Sequence, residues 1–387
     1  MKLKPGKTTG KNLSDYNACL KLGKFMLNIE SDRPFPGLFA MNEYRPYIKK
    51  RPDPDPSVKL KVKTGTLTDA WLKADFLFGH TDYWNFFIDK AGYWLIYIDR
   101  EKRTAQFLKK GGYFRVKYQG INLTYRHRSE PRPTPGVEIN PAPEYNPPDI
   151  ERVDKVVFMT PDMRSIKVWM KELPGIISPD DYFSDPLERP LLDFILQITL
   201  PRLEDGYLFH ASAVDDGGSG YLFPGQSGNG KSTIAGLWSG RARIMQEDCV
   251  EVSGRKGGAR IFTVPEVGAA GNPGPSARLS GVFALKHSGA HRITRLSTLE
   301  AVGVLFYNIM KPIWDSDACD MYSDYCLWLA SHVPCFLLEF APDPSVCELI
   351  RKAVRDVVKE KPAVISPFMG EKISRLKEFK GIPGVKF

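Results

Sequence analysis

The chain contains the string GQSGNGKS, Gly225–Ser232, between the apolar YLF and the helical pattern KSTIAGLW. A strand that must turn through glycines and reopen as a helix leaves little conformational choice. Glycine allows backbone angles that a side chain forbids, and lets the backbone approach a ligand closely. Successive amide N–H groups then point inward as an anion-binding nest. The start of the helix adds the positive end of its dipole. The string meets the pattern G-x-x-x-x-G-K-[ST]. Gly225, Gln226, Ser227, Gly228, Asn229 and Gly230 form the expected phosphate cradle. Lys231 is expected to reach the β- and γ-phosphates, and Ser232 to place its hydroxyl on Mg²⁺. Thr233 reads as a first-turn helix residue of the cradle rather than a second metal ligand. Short patterns recur by chance, but here the strand before and the helix after satisfy the required context. The expected ligands are ATP and Mg²⁺.

Many phosphate loops are followed, some distance on, by four apolar residues ending in Asp, and no such run lies downstream here. RLSG, Arg278–Gly281, is a fragment of the transport-ATPase signature, but it runs straight into the apolar VFALK. No N-K-x-D string marks guanine recognition. Instead Glu247 and Asp248 follow Lys231 after room for one helix, one turn and one strand. That places the pair at the carboxyl end of the strand adjoining the loop, where ligands bind in open α/β sheets.

The order of these elements resembles the HPr kinase family and its relatives, which share a core with the ATP-type phosphoenolpyruvate carboxykinases. The residues that carry the resemblance are His210 in LFHASAV, the turn DDGGSG, the loop in YLFPGQSGNGKST, and RIMQEDCVEV. A looser likeness continues through TVPEVG, SGVFALKHSGAHRITRLSTLEAV and VPCFLLEFAPDPSVCELI, so that Pro186 to Lys352 is covered. The resemblance implies an α/β (α+β) fold, with a P-loop kinase core of mixed sheet flanked by helices. It implies Glu247 as the group that accepts the proton of an attacking hydroxyl, and Asp248 with Ser232 as Mg²⁺ ligands. His210 would hydrogen-bond the acidic pair or the phosphate; from the residues alone a satisfied core histidine reads equally well. The acidic pair is Glu-Asp where the family has Asp-Asp, and the second signature associated with phosphorolysis is absent. The implied acceptor is a serine hydroxyl of a peptide, protein or small molecule.

Further positive charge for the transferring group has candidates in Arg255 and Lys256, Arg278, and Arg292 or Arg295. For each, a solvated surface role is the simpler reading. The stretch EVGAAGNPGPSAR, Glu266–Arg278, has the Gly, Ala and Pro content of a mobile lid or of a plain flexible loop.

The remaining chain reads differently. Within residues 1–130, VKLKVKTGTLT alternates apolar and basic residues with period two, as a half-exposed strand does. GYWLIYID, RTAQFL and YFRVKYQG follow in quick succession, a β-meander pattern. Seven prolines in residues 131–149 make that segment a linker or surface loop. The expected organisation is a β-rich domain over 1–130, a proline-rich linker over 131–150, and a nucleotide-binding domain over 151–387 with its core at 186–360. The last stretch is basic and is expected to pack loosely. No internal repeat is present.

Composition excludes several classes. No apolar run approaches the length of a membrane helix, and no signal-peptide stretch opens the chain, so no membrane partner and a cytoplasmic location are expected. The six cysteines make no C-x-x-C pair and read as buried thiols, not a zinc site. A formal charge of +9 attracts phosphate-bearing partners. It is thinly spread and matches no RNA-recognition motif, so nucleic acid is not the expected partner. A homo-oligomer stays open. Three functions compete: a kinase acting on a hydroxyl, an ATP-binding sensor or interaction module with little catalysis, and a carboxykinase-like enzyme.

Overall fold

The computed structural model describes residues 17–22, 25–32, 44–49, 53–80, 83–98, 113–118, 121–126, 150–171, 186–204, 206–265, 274–312 and 316–359. The chain divides into two units, Met1–Lys21 with Met26–Leu191, and Leu192–Phe387 with Leu22–Phe25. The protein is α+β, with one mixed sheet in the first unit and a second in the other.

The first sheet is built from β1 (Asn17–Leu22), β2 (Phe25–Ser31), β3 (Ile48–Lys49), β4 (Val58–Thr64), β5 (Asp75–His80), β6 (Trp84–Ile88), β7 (Tyr93–Ile98), β8 (Tyr113–Tyr118), β9 (Ile121–Arg126), β10 (Val153–Met159) and β11 (Ser165–Met170). Their spatial order is β3-β1-β2-β4-β11-β10-β7-β6-β5-β8-β9. In β4 the period-two reading holds: Val58, Leu60 and Val62 are buried while Lys59, Lys61 and Lys63 face out. β7 is buried at every position, as a central strand covered on both faces must be. Trp71, Phe87, Trp94, Ile96, Val153 and Val156 form its core. The expected meander through GYWLIYID, RTAQFL and YFRVKYQG is not realised: β7 is flanked by β6 and β10, and β8 pairs with β5 and β9. RTAQFL and the proline-rich segment lie outside the described residues. Residues 151–171, read from texture as the start of the second domain, pair instead into this sheet, antiparallel to β7 and parallel to β4. Pairing across such sequence distances leaves no local mark.

The second unit opens with α1 (Leu191–Glu204) and contains β12 (Gly206–Asp216), β13 (Ser219–Pro224), α2 (Lys231–Leu237), β14 (Arg243–Gln246), β15 (Cys249–Ser253), β16 (Arg260–Thr263), β17 (Ala277–His287), β18 (Arg292–Arg295), α3 (Thr298–Asn308), α4 (Ser316–His332), β19 (Cys335–Phe340) and α5 (Val346–Lys359). The order is β13-β12-β15-β16-β17-β19-β18, with β14 on β12 and a further β13–β17 pairing. Alternation sorts the side chains between two helical layers. Leu222, Val282, Phe209 and Ala211 pack with Leu305 of α3 and Tyr325 of α4. Tyr221, Phe223, Phe283 and Leu285 pack with Ile234 and Trp238 beside α2 and with Ile350 of α5. Each face buries large apolar side chains, and burial of one such side chain contributes about 1.5–3 kcal/mol. RLSG lies within β17, not at a helix start. Residues 266–273 and everything after 359 lie outside the described residues.

This topology sets a common edge. β13 and β19 both run parallel to β17, so Pro224, His287 and Phe340 end at the same side of the sheet. In open α/β sheets ligands bind beyond the carboxyl ends of the parallel strands; here the further β13–β17 pairing closes β13, β12, β15, β16 and β17 into a ring.

Candidate functional site

β12 is the axis of the site. One edge of it pairs with β13, in register Ala211↔Pro224, so the loop leaves the sheet beside His210. The other edge pairs first with β15 and then with β14, and Glu247–Asp248 form the bend between those two strands. The acidic pair therefore follows the carboxyl end of β14 and borders the histidine strand β12. β12 is long enough to carry two partners on one edge, and it stands between them and the loop. Backbone hydrogen bonds clamp both sides: Gly225 N–H donates to His210 O at 3.1 Å, and Ala211 N–H donates to Asp248 O at 3.0 Å.

His210 and Ser212, two apart on β12, point the same way. The Ser212 hydroxyl donates to the Lys231 carbonyl at 3.2 Å. His210 Nε2 lies 2.8 Å from Asp248 Oδ1. The Lys231 ammonium donates to Gly225 O at 2.8 Å and lies 3.1 Å from His210 Nε2 and 3.3 Å from Asp248 Oδ1. One ring nitrogen cannot donate to the carboxylate and accept from the ammonium together. The shorter, charge-assisted contact assigns the proton to Nε2, directed at Asp248. Asp248 Oδ1 then faces two donors, the His210 ring N–H and the Lys231 ammonium. Burial pushes the Asp248 carboxyl up, but the hydrogen bond and charge of His210, followed by Lys231, outweigh it and hold the group at about 2.

The loop itself is set by its glycines. Gly228 and Gly230 have φ of 84° and 91°, in the left-handed region. Asn229 N–H closes the turn on Gln226 O at 3.1 Å. Gln226 Nε2 donates to Asn308 Oδ1 at 3.3 Å, and the buried Asn308 is itself held by Nδ2 donating to Val304 O at 2.8 Å. Asn308 was not legible as a loop support: it ends α3, far along the chain. Ser227 and Gly228 are exposed, whereas Gly225 and Gly230 are buried.

Ser232 and Thr233 lie half-buried in the first turn of α2, with no hydrogen-bond partner among the described residues. Glu247 is half-buried in the bend and likewise has none. Of the candidate cations, Arg278 pairs with Ser219 at the end of β13 opposite the loop. The Arg255 guanidinium lies over the Tyr325 ring, 5.6 Å from its centroid. Arg292 sits on the loop side of the sheet, 3.8 Å from Glu339. Lys256 and Arg295 are exposed, at the β15–β16 turn and on β18.

The donor set suits a hard cation. Asp248 Oδ2 and the Ser232 hydroxyl are oxygen donors without protein partners among the described residues. Mg²⁺ takes one or two protein oxygens together with substrate phosphates and water. Among the described residues no group of three His, Cys, Asp or Glu side chains could hold a metal. No helix of the described residues is long and apolar enough to cross a membrane.

Neither a family model nor a curated protein matches the chain.

Proposed function

We propose that the second unit is an ATP-dependent phosphotransferase that moves the γ-phosphate to a hydroxyl, most plainly that of a serine on a peptide, protein or small molecule. The observation that carries the reading is the Lys231 ammonium, held among the Gly225 carbonyl, His210 and Asp248 at the mouth of a glycine loop. A structural lysine would be tied off by its carboxylate. Here the carboxylate is half-exposed and keeps one oxygen open. The proposed architecture is the P-loop kinase core implied by the resemblance to HPr-kinase-like proteins, in a cytoplasmic protein.

In this reading the amides of Gly225–Gly230 hold the phosphate chain and Lys231 neutralises its charge. Asp248 and Ser232 would hold Mg²⁺, which supplies charge neutralisation at the phosphates. His210 keeps Asp248 oriented and ionised. The acceptor oxygen bonds to the γ-phosphorus, the β–γ bridging P–O bond breaks, and ADP leaves. The acceptor proton passes to the Glu247 carboxylate, whose main contribution is to orient the nucleophile.

The test is transfer of labelled γ-phosphate from Mg-ATP by the full chain to a hydroxyl acceptor panel. Glu247→Gln is expected to keep nucleotide binding and stop transfer; undiminished transfer removes Glu247 from the mechanism. A second reading, an ATP-binding sensor module, is favoured by the Glu-for-Asp replacement at position 247. ATP binding without transfer to any acceptor decides for it.

A further inference from the structure

His287 ends β17, the strand that runs parallel to the loop strand β13. The register Leu222↔Val282 carries β17 past the end of β13, so His287, paired with Phe340 of β19 on one side, has the loop on the other. The contact is close. A Cβ on Gly230 would stand 2.9 Å from His287 Cε1, 3.2 Å from His287 Nε2 and 3.0 Å from Phe340 Cζ. The imidazole therefore fills the space beside the residue that precedes Lys231.

Its orientation is fixed without use of its nitrogens. The ring lies on Phe340, with centroids 5.6 Å apart and planes at 30°. Phe340 is buried, and its carbonyl accepts from Ser288 N–H at 3.0 Å, which ties the two strand ends together. The neighbouring Lys286 is satisfied by Glu339 at 2.8 Å. His287 is exposed, and neither ring nitrogen has a hydrogen-bond partner among the described residues. A plain surface histidine has no reason to be packed on a buried ring and seated against a glycine loop. A ligand-contacting one does, because a ring held in place loses little freedom when its N–H engages.

We propose that His287 is a positioning residue of the nucleotide site, donating a ring N–H to the phosphate chain of a nucleoside triphosphate held by Gly225–Ser232. The proposal rests on the nucleotide reading of that loop. It adds a donor from β17, on the side of the loop away from His210 and Asp248.

The test is calorimetric titration of the full chain with Mg-ATP and with inorganic tripolyphosphate, which lacks the base and sugar. His287→Phe keeps an aromatic ring against Phe340 and removes the nitrogens. It is expected to weaken both ligands about tenfold or more, the scale of a hydrogen bond to a charged group, with an unchanged melting curve. His287→Gln, which keeps a donor, is expected to recover part of the loss. Wild-type affinity for both ligands in the Phe variant overturns the proposal while leaving the loop reading intact. Loss for ATP with tripolyphosphate unchanged also overturns it, in favour of base stacking. Wild-type protein that binds neither ligand removes the loop reading, and this proposal with it.

Discussion

Each unit contains a buried lysine against a carboxylate, and the two pairs differ in what surrounds them. In the first unit Lys155 and Glu188 are 1% and 3% exposed, and they form an ion pair. The Lys155 ammonium also lies 4.5 Å from the centre of the Tyr97 ring, and the Tyr97 hydroxyl donates to the Glu188 carbonyl. Leu191 N–H in turn donates to the Tyr97 hydroxyl at 3.3 Å. Every group there faces protein. In the second unit Lys231 is 6% exposed but Asp248 is 58% exposed. Its neighbours are a glycine loop and a half-exposed histidine. A closed pair fixes the 186–191 segment onto its own sheet. The open pair buries its lysine and leaves its carboxylate accessible to solvent. Burial of the lysine is common to both pairs; the exposure of the carboxylate is what differs.

The largest expected effect is in the closed pair. Glu188→Ala leaves an ammonium buried and is expected to cost about 3–5 kcal/mol of stability, read by denaturant unfolding. The double change Lys155→Met with Glu188→Leu should recover most of it. A cost below about 1 kcal/mol for the single change would break the comparison, since it is the ordinary worth of an exposed pair.

The open pair should behave in the opposite way. Lys231→Ala is expected to leave the melting curve nearly in place while weakening Mg-ATP binding by about ten- to a hundredfold, or about 1.5–3 kcal/mol. If stability falls instead and affinity does not, Lys231 is structural like Lys155. A smaller effect belongs to the loop support. Gln226→Ala removes the 3.3 Å hydrogen bond to Asn308 and should weaken nucleotide binding only a few-fold, about 0.5–1.5 kcal/mol.

The smallest expected effect is a flat one. Asp248 has its carboxyl held at about 2 by His210 and Lys231 against the opposing push of burial. A depressed carboxylate contributes stability above the ordinary value near about 4, and loses it as pH falls toward about 2. Nucleotide binding should therefore show no limb from Asp248 between neutral pH and the ordinary carboxylate range. Carboxyl-detected NMR titration checks this directly, and Lys231→Ala should move the Asp248 midpoint upward.

Local pattern made much of the second unit legible. LFHASAV, YLF, RIMQ and CFLLEF are strands because apolar, β-branched and aromatic residues suit a buried pleat. The structure closes the start of α3 with a capping box between Ser297 and Glu300. The break at Glu247–Asp248 was visible as an acidic pair between two apolar runs. In the first unit the same reasoning found β4 and β7 but misassigned 151–171, because strand texture does not say which sheet a strand joins.

Residue types and short spacings thus determined the loop string, its flanking strand and helix, and the chemistry that Lys231, Asp248 and His210 can offer. Tertiary structure decided which of them meet. The His210–Asp248 hydrogen bond joins residues 38 apart, and Gln226 and Asn308 are 82 apart. His287 reaches the loop only because β17 runs parallel to β13 and extends beyond it. Such contacts are set by strand order and register, which depend on how distant segments bury one another's apolar faces, and no local window of sequence contains that information.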